Sequence, residues 1–287
     1  MRFFLIVNLD KENAEICAKR ALKKLFSLGG KVFMSNNDRI LVRDFPEVIL
    51  GKAEDLIPAC DVVISIGGDG TLIHAAKKYA MPFDKPILGI NTGRLGFLTR
   101  MEQNELDFLK RLFDGNFKIE NRMMLELRYL KLDGQSKVYT ALNDVVLSRG
   151  SLSRIIDLTI DCDGKPVNSY RADGLIFSTP TGSTAYSLSA GGPVVEPSVE
   201  CIVMSPICPH SLFSRTIVYA ADRTITVGTL FEHTNKAYVT IDGVEGFPIQ
   251  PGDRVSIRKS DHYAKLICFD QSFFEILSKK MIDHSHT

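Results

Sequence analysis

The stretch Val62-Val63-Ile64-Ser65-Ile66 runs directly into Gly67-Gly68-Asp69-Gly70-Thr71, and a helical pattern follows over Leu72–Tyr79. A nearly unbroken apolar run marks a strand covered on both faces, and such strands belong to parallel sheets flanked by helices. The rest of the first third agrees. Phe3–Val7 is a second apolar run, and Lys31–Met34 and Pro86–Ile90 read as further strands. From Ala14 the apolar residues fall at 14, 17, 18, 21, 22 and 25, a helical spacing that Gly29-Gly30 stops. This alternation predicts an α/β domain with a mostly parallel sheet.

The pattern changes near residue 121. Leu125–Leu132 and Lys137–Leu142 flank Asp133-Gly134, which predicts a hairpin, and Ile156–Cys162, Asp163-Gly164 and Lys165–Ser169 repeat the device. Thr216–Val227 and Ala237–Ile241 are β-rich, and Pro251-Gly252-Asp253 turns into Arg254–Arg258. Short strands with regular turn signals predict an all-β second domain over 122–262, after an α/β domain over 1–121. Ala264–Phe269 and Phe273–Met281 then read as a strand and a helix.

At 287 residues and 45% hydrophobic the chain can build two cores. The net charge of +1 and the absence of a long basic stretch exclude an electrostatic footprint for nucleic acid, and Lys23, Lys24 and Lys31 read as a solvated face. Six scattered cysteines without a C-x-x-C pair read as free, mostly buried thiols of a reducing compartment. His284-Ser285-His286 reads as a frayed polar end. The start carries no signal-peptide pattern and no apolar run reaches a membrane span, so the expectation is a soluble cytoplasmic protein.

Three segments carry chemistry. In Gly67-Gly68-Asp69-Gly70-Thr71 the glycines let the backbone turn tightly and approach a phosphate, and the following helix offers its positive N-terminus. Asp69 is badly placed to bind phosphate but well placed to take a proton from a hydroxyl or to act through Mg²⁺. The same residues would also make a tight turn with Asp69 as a helix cap. The second segment, Asp173–Pro193, is a strand entering a loop crowded with Ser, Thr and Gly, whose hydroxyls suit ribose and amide groups; Tyr186 offers a flat face to a base. Its plainer reading is a capped polar turn. The third, Asn143-Asp144, interrupts an apolar strand; an amide beside a carboxylate can chelate ribose hydroxyls or read an adenine edge, and a bulge would also explain it. The Walker A, protein-kinase and dinucleotide-binding glycine motifs are all absent.

Together these segments resemble the NAD kinase family, which shows a G-G-D-G-T loop, an Asn-Glu or Asn-Asp pair and a T-P-T-G-S-T-A-Y-S-L-S-A-G-G-P stretch in this order. Gly89–Thr99 and His210–Arg215 are similar to family stretches as well, and the likeness runs from about residue 60 to about 270. The resemblance implies that the tail, 263–287, packs back on the N-terminal domain, that the active site lies between the domains, and that the chain forms a homodimer or homotetramer. It implies Asp69 as general base, and Gly67, Gly68, Gly70 and Thr71 as the phosphate loop, with Gly70 also close to the substrate. It places Asn143, Asp144, Arg154, Arg171, Asp173, Thr184, Ala185, Tyr186, Ser187, Leu188 and Ser189 at the NAD site. Its substrates would be NAD and ATP or polyphosphate, with Mg²⁺ held mainly by the nucleotide. The sequence departs from the family at His74, where Arg is common, at Asp144, where Glu is commoner, and at Val244, where Gln is common; Asp242 stands as a further candidate. The glycine loop also occurs in lipid kinases, but no basic amphipathic helix or lipidation signal accompanies it here. A non-catalytic dinucleotide sensor is the other reading, against which the intact Asp69 argues.

Overall fold

The computed structural model describes residues 1–93, 96–150, 155–211, 214–229, 237–250 and 252–283. The chain divides into two compact units, Met1–Asn121 with Ala264–Thr287, and Arg122–Tyr263.

In the first unit five strands lie in the order Ile49–Gly51, Lys31–Ser35, Arg2–Val7, Val62–Gly67, Ile87–Asn91. Every pairing among them is parallel. The chain grows one way from Arg2–Val7 through the second and third strands, then crosses back to place Val62–Gly67 on the other side. Between Arg2–Val7 and Val62–Gly67 lies the switch point, where open α/β sheets leave a crevice at the carboxyl ends of their strands. The helix Ala14–Ser27 buries Ala14, Cys17, Ala18, Ala21, Leu22 and Leu25, the six positions its spacing marks. Gly29, at φ 76°, ends it, and the N–H groups of Gly29 and Gly30 close on the carbonyls of Phe26 and Leu25, both at 2.9 Å. Ile49–Gly51, which the sequence pattern does not reveal, is a three-residue edge strand.

The chain end returns to this unit. Leu266 pairs parallel with Ile87, and Ile267 and Phe269 enter the core of Phe3, Leu5, Ile64 and Leu88. The helix Phe273–Asp283 starts with a capping box: Glu275 N–H donates to Ser272 Oγ at 3.2 Å, and Ser272 N–H to Glu275 Oε2 at 3.0 Å.

The second unit is built of strands. One sheet has the antiparallel order Ile217–Ala220, Cys201–Ile207, Gly174–Ser178, Asp144–Arg149, Ala237–Ile241, Val244–Ile249. The other runs Lys165–Ala172, Ile156–Cys162, Ile225–Thr229, Arg254–Cys268, and continues through Lys118–Leu130 to Ser136–Ala141. Alternate residues of both sheets, such as Val145 and Leu147, Ile156 and Leu158, Leu175 and Phe177, Ile202 and Met204, make one core. Two tight turns use Asp-Gly with both residues at positive φ: Asp163-Gly164 at 51° and 76°, and Asp242-Gly243 at 51° and 74°. The α/β domain followed by a β domain is therefore the fold.

One expectation needs correction. Arg254–Arg258 and Ala264–Phe269 are not separate; Arg254–Cys268 is a single strand. The polar run between them breaks the apolar pattern, but its charges are paired within the unit. Arg258 meets Glu126 at 2.9 Å, and Lys259 meets Glu200. None of the six cysteines is in a disulfide; Cys17, Cys60, Cys201 and Cys268 are buried and Cys208 is exposed. Among the described residues no helix is long and apolar enough to cross a membrane.

Candidate active site

In the first unit the glycine loop occupies the switch point. A Cβ on Gly67 would stand 2.4 Å from Thr71 Oγ1, so only glycine lets the strand turn this close to the next helix. Thr71 Oγ1 accepts from Asn8 Nδ2 at 3.1 Å, which ties the loop to the end of Arg2–Val7. Around Gly68 and Gly70 a Cβ would meet nothing within 4 Å, so their backbones face open space that a ligand can approach. Gly68 precedes the helix Asp69–Ala75, whose first N–H groups have no partner in their own helix. The helix thus begins at Asp69, three residues before the expected Leu72, and gives way to a wider turn over Ala76–Ala80.

The Asp69 carboxylate lies against the segment 96–99. Oδ2 accepts from Phe97 N–H at 2.7 Å; Oδ1 accepts from Leu98 N–H at 3.2 Å, Thr99 N–H at 3.0 Å and Thr99 Oγ1 at 3.1 Å. Gly96 makes this approach possible, because a Cβ there would stand 1.8 Å from Asp69 Oδ1. Asp69 is thus not a simple helix cap. Sequence reasoning did not single out Asn8, Gly96 or Thr99; the Gly-x-x-Thr spacing of 96–99 was the available signal.

In the second unit Asn143 and Asp144 sit where a loop enters the strand Asp144–Arg149. Asp242 organises them from the neighbouring tight turn. Its Oδ1 accepts from Asn143 N–H at 2.7 Å and Asp144 N–H at 3.1 Å, its Oδ2 from Leu142 N–H at 3.1 Å, and its own N–H donates to the Asp144 carbonyl at 2.9 Å. On the other side Thr179 Oγ1 donates to the Leu142 carbonyl at 2.6 Å, and Gly182 packs on Asn143, where a Cβ would stand 2.1 Å from the carbonyl oxygen. The 142–144 backbone is held from both flanks, so the side chains of Asn143 and Asp144 start from fixed points.

Asp144 is 5% exposed, and its carboxyl is pushed up to about 7 by burial, with the nearby Asp242 charge adding to it. A carboxyl raised in the folded state penalises folding wherever the unfolded chain has already ionised. Stability conferred by the neutral form is fully present below the unfolded value near 4 and is lost as pH rises through about 7. Asp144→Asn is therefore expected to stabilise the fold by on the order of 2–4 kcal/mol at pH 8 and by less at pH 5, seen as a larger rise in melting temperature at pH 8. Equal melting shifts at the two pH values, read by calorimetry, would remove the electrostatic account.

The segment 173–193 divides into buried and outward-facing parts. After Gly174–Ser178 come a 3-10 turn, Thr181–Thr184, and a short helix, Tyr186–Ser189. The short hydroxyls do not all face outward. Ser178 Oγ donates to the Thr179 carbonyl, Ser183 Oγ donates to the Pro180 carbonyl at 2.6 Å, and Ser187 Oγ shares a hydrogen bond with Ser205 Oγ at 3.1 Å. Four hydroxyls, on Ser178, Thr179, Ser183 and Ser187, are fully buried; the first three bond the loop's own backbone, and Ser187 ties the loop to Ser205. The reason is that a buried irregular loop must satisfy its polar groups internally. What the loop presents outward is Tyr186, 47% exposed, with Leu188 and Ser189 exposed and Thr184 and Ala185 half-buried. Asp173 is engaged by Arg149 at 2.6 Å, while Arg171 is exposed on Lys165–Ala172. Arg154, Arg94, Leu95, Leu212, Phe213 and His284–His286 lie outside the described residues. Val244 is 68% exposed.

Residues 3–117 match the ATP-NAD kinase N-terminal domain and residues 142–269 the ATP-NAD kinase C-terminal domain. The chain is 39% identical to the NAD kinase of Caldanaerobacter subterraneus over 97% of its length and 98% of the relative's. It is 36% identical to that of Acetivibrio thermocellus over 100% and 99%. Among solved structures, yeast NADH kinase complexed with NADH superposes with a TM-score of 0.85 at 26% identity, over 97% of this chain and 85% of that one. An NAD kinase from Archaeoglobus fulgidus in complex with ATP gives 0.73 at 28%, over 97% and 98%.

Proposed function

The chain belongs to the NAD kinase family of phosphotransferases, and from that premise we infer that it transfers the γ-phosphoryl group of ATP to the adenosine-ribose 2′-hydroxyl of NAD, giving NADP and ADP. The observation that carries this reading is the seating of Asp69: a carboxylate fixed by four donors, beside a glycine backbone open to a ligand, at the sheet's switch point. A fixed proton acceptor next to a phosphate-binding turn is what transfer to an alcohol requires, since this chemistry rests on positioning and charge stabilisation.

In this reading Asp69 accepts the proton of the attacking hydroxyl. Gly67, Gly68, Gly70 and Thr71 set the loop against the donor's phosphates. Asn143 and Asp144 hold the ribose and adenine region of NAD, with Arg154, Arg171 and Asp173 also at that site. Thr184, Ala185, Ser187, Leu188 and Ser189 shape the nucleotide loop, in which Ser187 acts through its buried bond to Ser205. Magnesium binds to phosphates plus at most a few carboxylates and keeps several waters. We therefore assign most of its ligands to the donor, where it would neutralise charge on the transferred group. Polyphosphate as an alternative donor and a homodimer or homotetramer as the working assembly belong to the same proposal.

The test is NADP formation by the purified chain with NAD, ATP and Mg²⁺. Accumulation of NADP supports the reading. No NADP from folded protein with NAD or NADH and with ATP or polyphosphate would end it. Tyr186 gives a finer check: its exposed ring is free to stack on a base. Tyr186→Ala is expected to raise KM for NAD by about 2- to 10-fold with kcat little changed, the range for loss of one aromatic contact. An unchanged KM would take Tyr186 out of the NAD site.

A further inference from the structure

The two oxygens of the Asp69 carboxylate are not equivalent. Oδ1 meets three donors, Leu98 N–H, Thr99 N–H and Thr99 Oγ1, whereas Oδ2 meets Phe97 N–H alone. A carboxylate oxygen has two lone pairs, so Oδ1 is saturated and Oδ2 keeps one for a further partner. The hydroxyl of Thr99 is the one side-chain donor in this set. It is itself held, because it accepts from Gly96 N–H at 3.3 Å and so closes the 96–99 segment into a ring. Thr99 is 1% exposed, and it rests on the strand Ile87–Asn91: a Cβ on Gly89 would stand 3.0 Å from Thr99 Cγ2 and 3.2 Å from its Cα. The side chain therefore has one placement, wedged between the sheet and the carboxylate.

We propose that Thr99 is a positioning residue for phosphoryl transfer: its hydroxyl, fixed between Gly96 N–H and Asp69 Oδ1, occupies Oδ1 and leaves Oδ2 as the oxygen that takes the proton. This rests on the reading of Asp69 as the base. In the step, the O–H bond of the ribose 2′-hydroxyl breaks and its proton passes to Oδ2. The oxygen's electron pair forms the new bond to the γ-phosphorus. The bond from that phosphorus to the bridging oxygen breaks, and its pair leaves on ADP. Without the Thr99 hydroxyl, Oδ1 keeps the Leu98 and Thr99 N–H groups but loses its one side-chain donor, so the carboxylate plane is held less firmly and the reactive lone pair of Oδ2 is fixed less closely on the substrate.

The experiment compares the full-length wild type with Thr99→Val, which keeps the shape and removes the hydroxyl, and Thr99→Ser, which keeps the hydroxyl. Thr99→Val is expected to lower kcat by about 10- to 100-fold, with KM for NAD and ATP within about 3-fold of wild type, because a misplaced reacting group costs rate rather than binding. Thr99→Ser is expected to restore kcat to within about 3-fold. A Val variant with wild-type kcat, or a Ser variant as impaired as Val, would overturn the proposal, the second by showing that packing alone matters. If Thr99→Val does not fold, Thr99→Cys, with only a weak S–H donor, reads the same split between kcat and KM. The wild-type arm separates the two levels: absent NADP there defeats the kinase reading and the proposal with it, while NADP with an indifferent Thr99→Val defeats the positioning role alone.

Discussion

Asp69→Asn is expected to lower kcat for NADP formation by about 10²–10⁴-fold, the range for loss of a positioned general base. The structure indicates what else the substitution disturbs. Asn keeps the size of Asp69 but has one acceptor oxygen. Three donors converge on the Oδ1 position and one on Oδ2. The amide oxygen therefore takes the Oδ1 place, and the NH₂ group faces Phe97 N–H, where the carboxylate accepted at 2.7 Å. Two donors then oppose each other at one point, a local cost of about 1–3 kcal/mol that a small shift of the Phe97 peptide relieves. That disturbance is confined to the first unit, whereas Asn143, Asp144 and Tyr186, the proposed NAD contacts, belong to the second. NAD affinity by calorimetry should accordingly stay near wild type while turnover is lost. A kcat within about 3-fold of wild type would deny Asp69 the role of base, and loss of affinity together with turnover would place it among the binding groups instead.

The contrast between these two sites marks how far the amino-acid order could be read. Periodicity located Ala14–Ser27 by its buried face, and an unbroken apolar run located Val62–Gly67, because both signals arise from burial that each residue expresses by itself. Asp163-Gly164 was legible because a two-residue turn imposes its demand on those two residues. Asp69 stands out as a candidate for a similar reason: a carboxylate between glycines is locally odd. Its environment was not legible, since Gly96 and Thr99 reach it from about thirty positions away, and nothing in a sequence states that Gly96 is small for the sake of Asp69. The hydroxyls of the 173–193 loop show the same limit from the opposite side. Ser and Thr mark a ligand-facing loop and a self-satisfying buried loop with the same letters, and only burial separates Ser187 from Ser189. The strand Arg254–Cys268 was read as two because its polar middle is neutralised by Glu126 and Glu200, partners that local patterning does not reveal.

Asp242 is the residue where this gap between local pattern and long-range role should be largest in measurement. Its side chain accepts three backbone N–H groups from Leu142, Asn143 and Asp144, about a hundred positions away. Asp242→Ala leaves all three without that acceptor, at about 1–3 kcal/mol each before water reaches them. It also puts Ala at φ 51°, a conformation Asp tolerates and Ala does not. One effect opposes this: removing the Asp242 charge relieves Asp144, whose carboxyl it helps to push up. Burial is the larger cause of that shift, so the relief is the smaller quantity. The net expectation is a loss of roughly 3–5 kcal/mol, seen as a fall of about 10 °C in melting temperature. Because Asn143 and Asp144 lose their fixed backbone, KM for NAD should rise by at least about tenfold. Asp242→Asn separates the causes. It retains the turn and one acceptor, which can serve Asn143 and Asp144 from the Oδ1 place while its NH₂ opposes Leu142 N–H, so its melting loss should be roughly half that of Ala. If Asp242→Ala melts and binds NAD as the wild type does, the tight turn alone holds the Asn143-Asp144 corner, and the carboxylate is not what positions it.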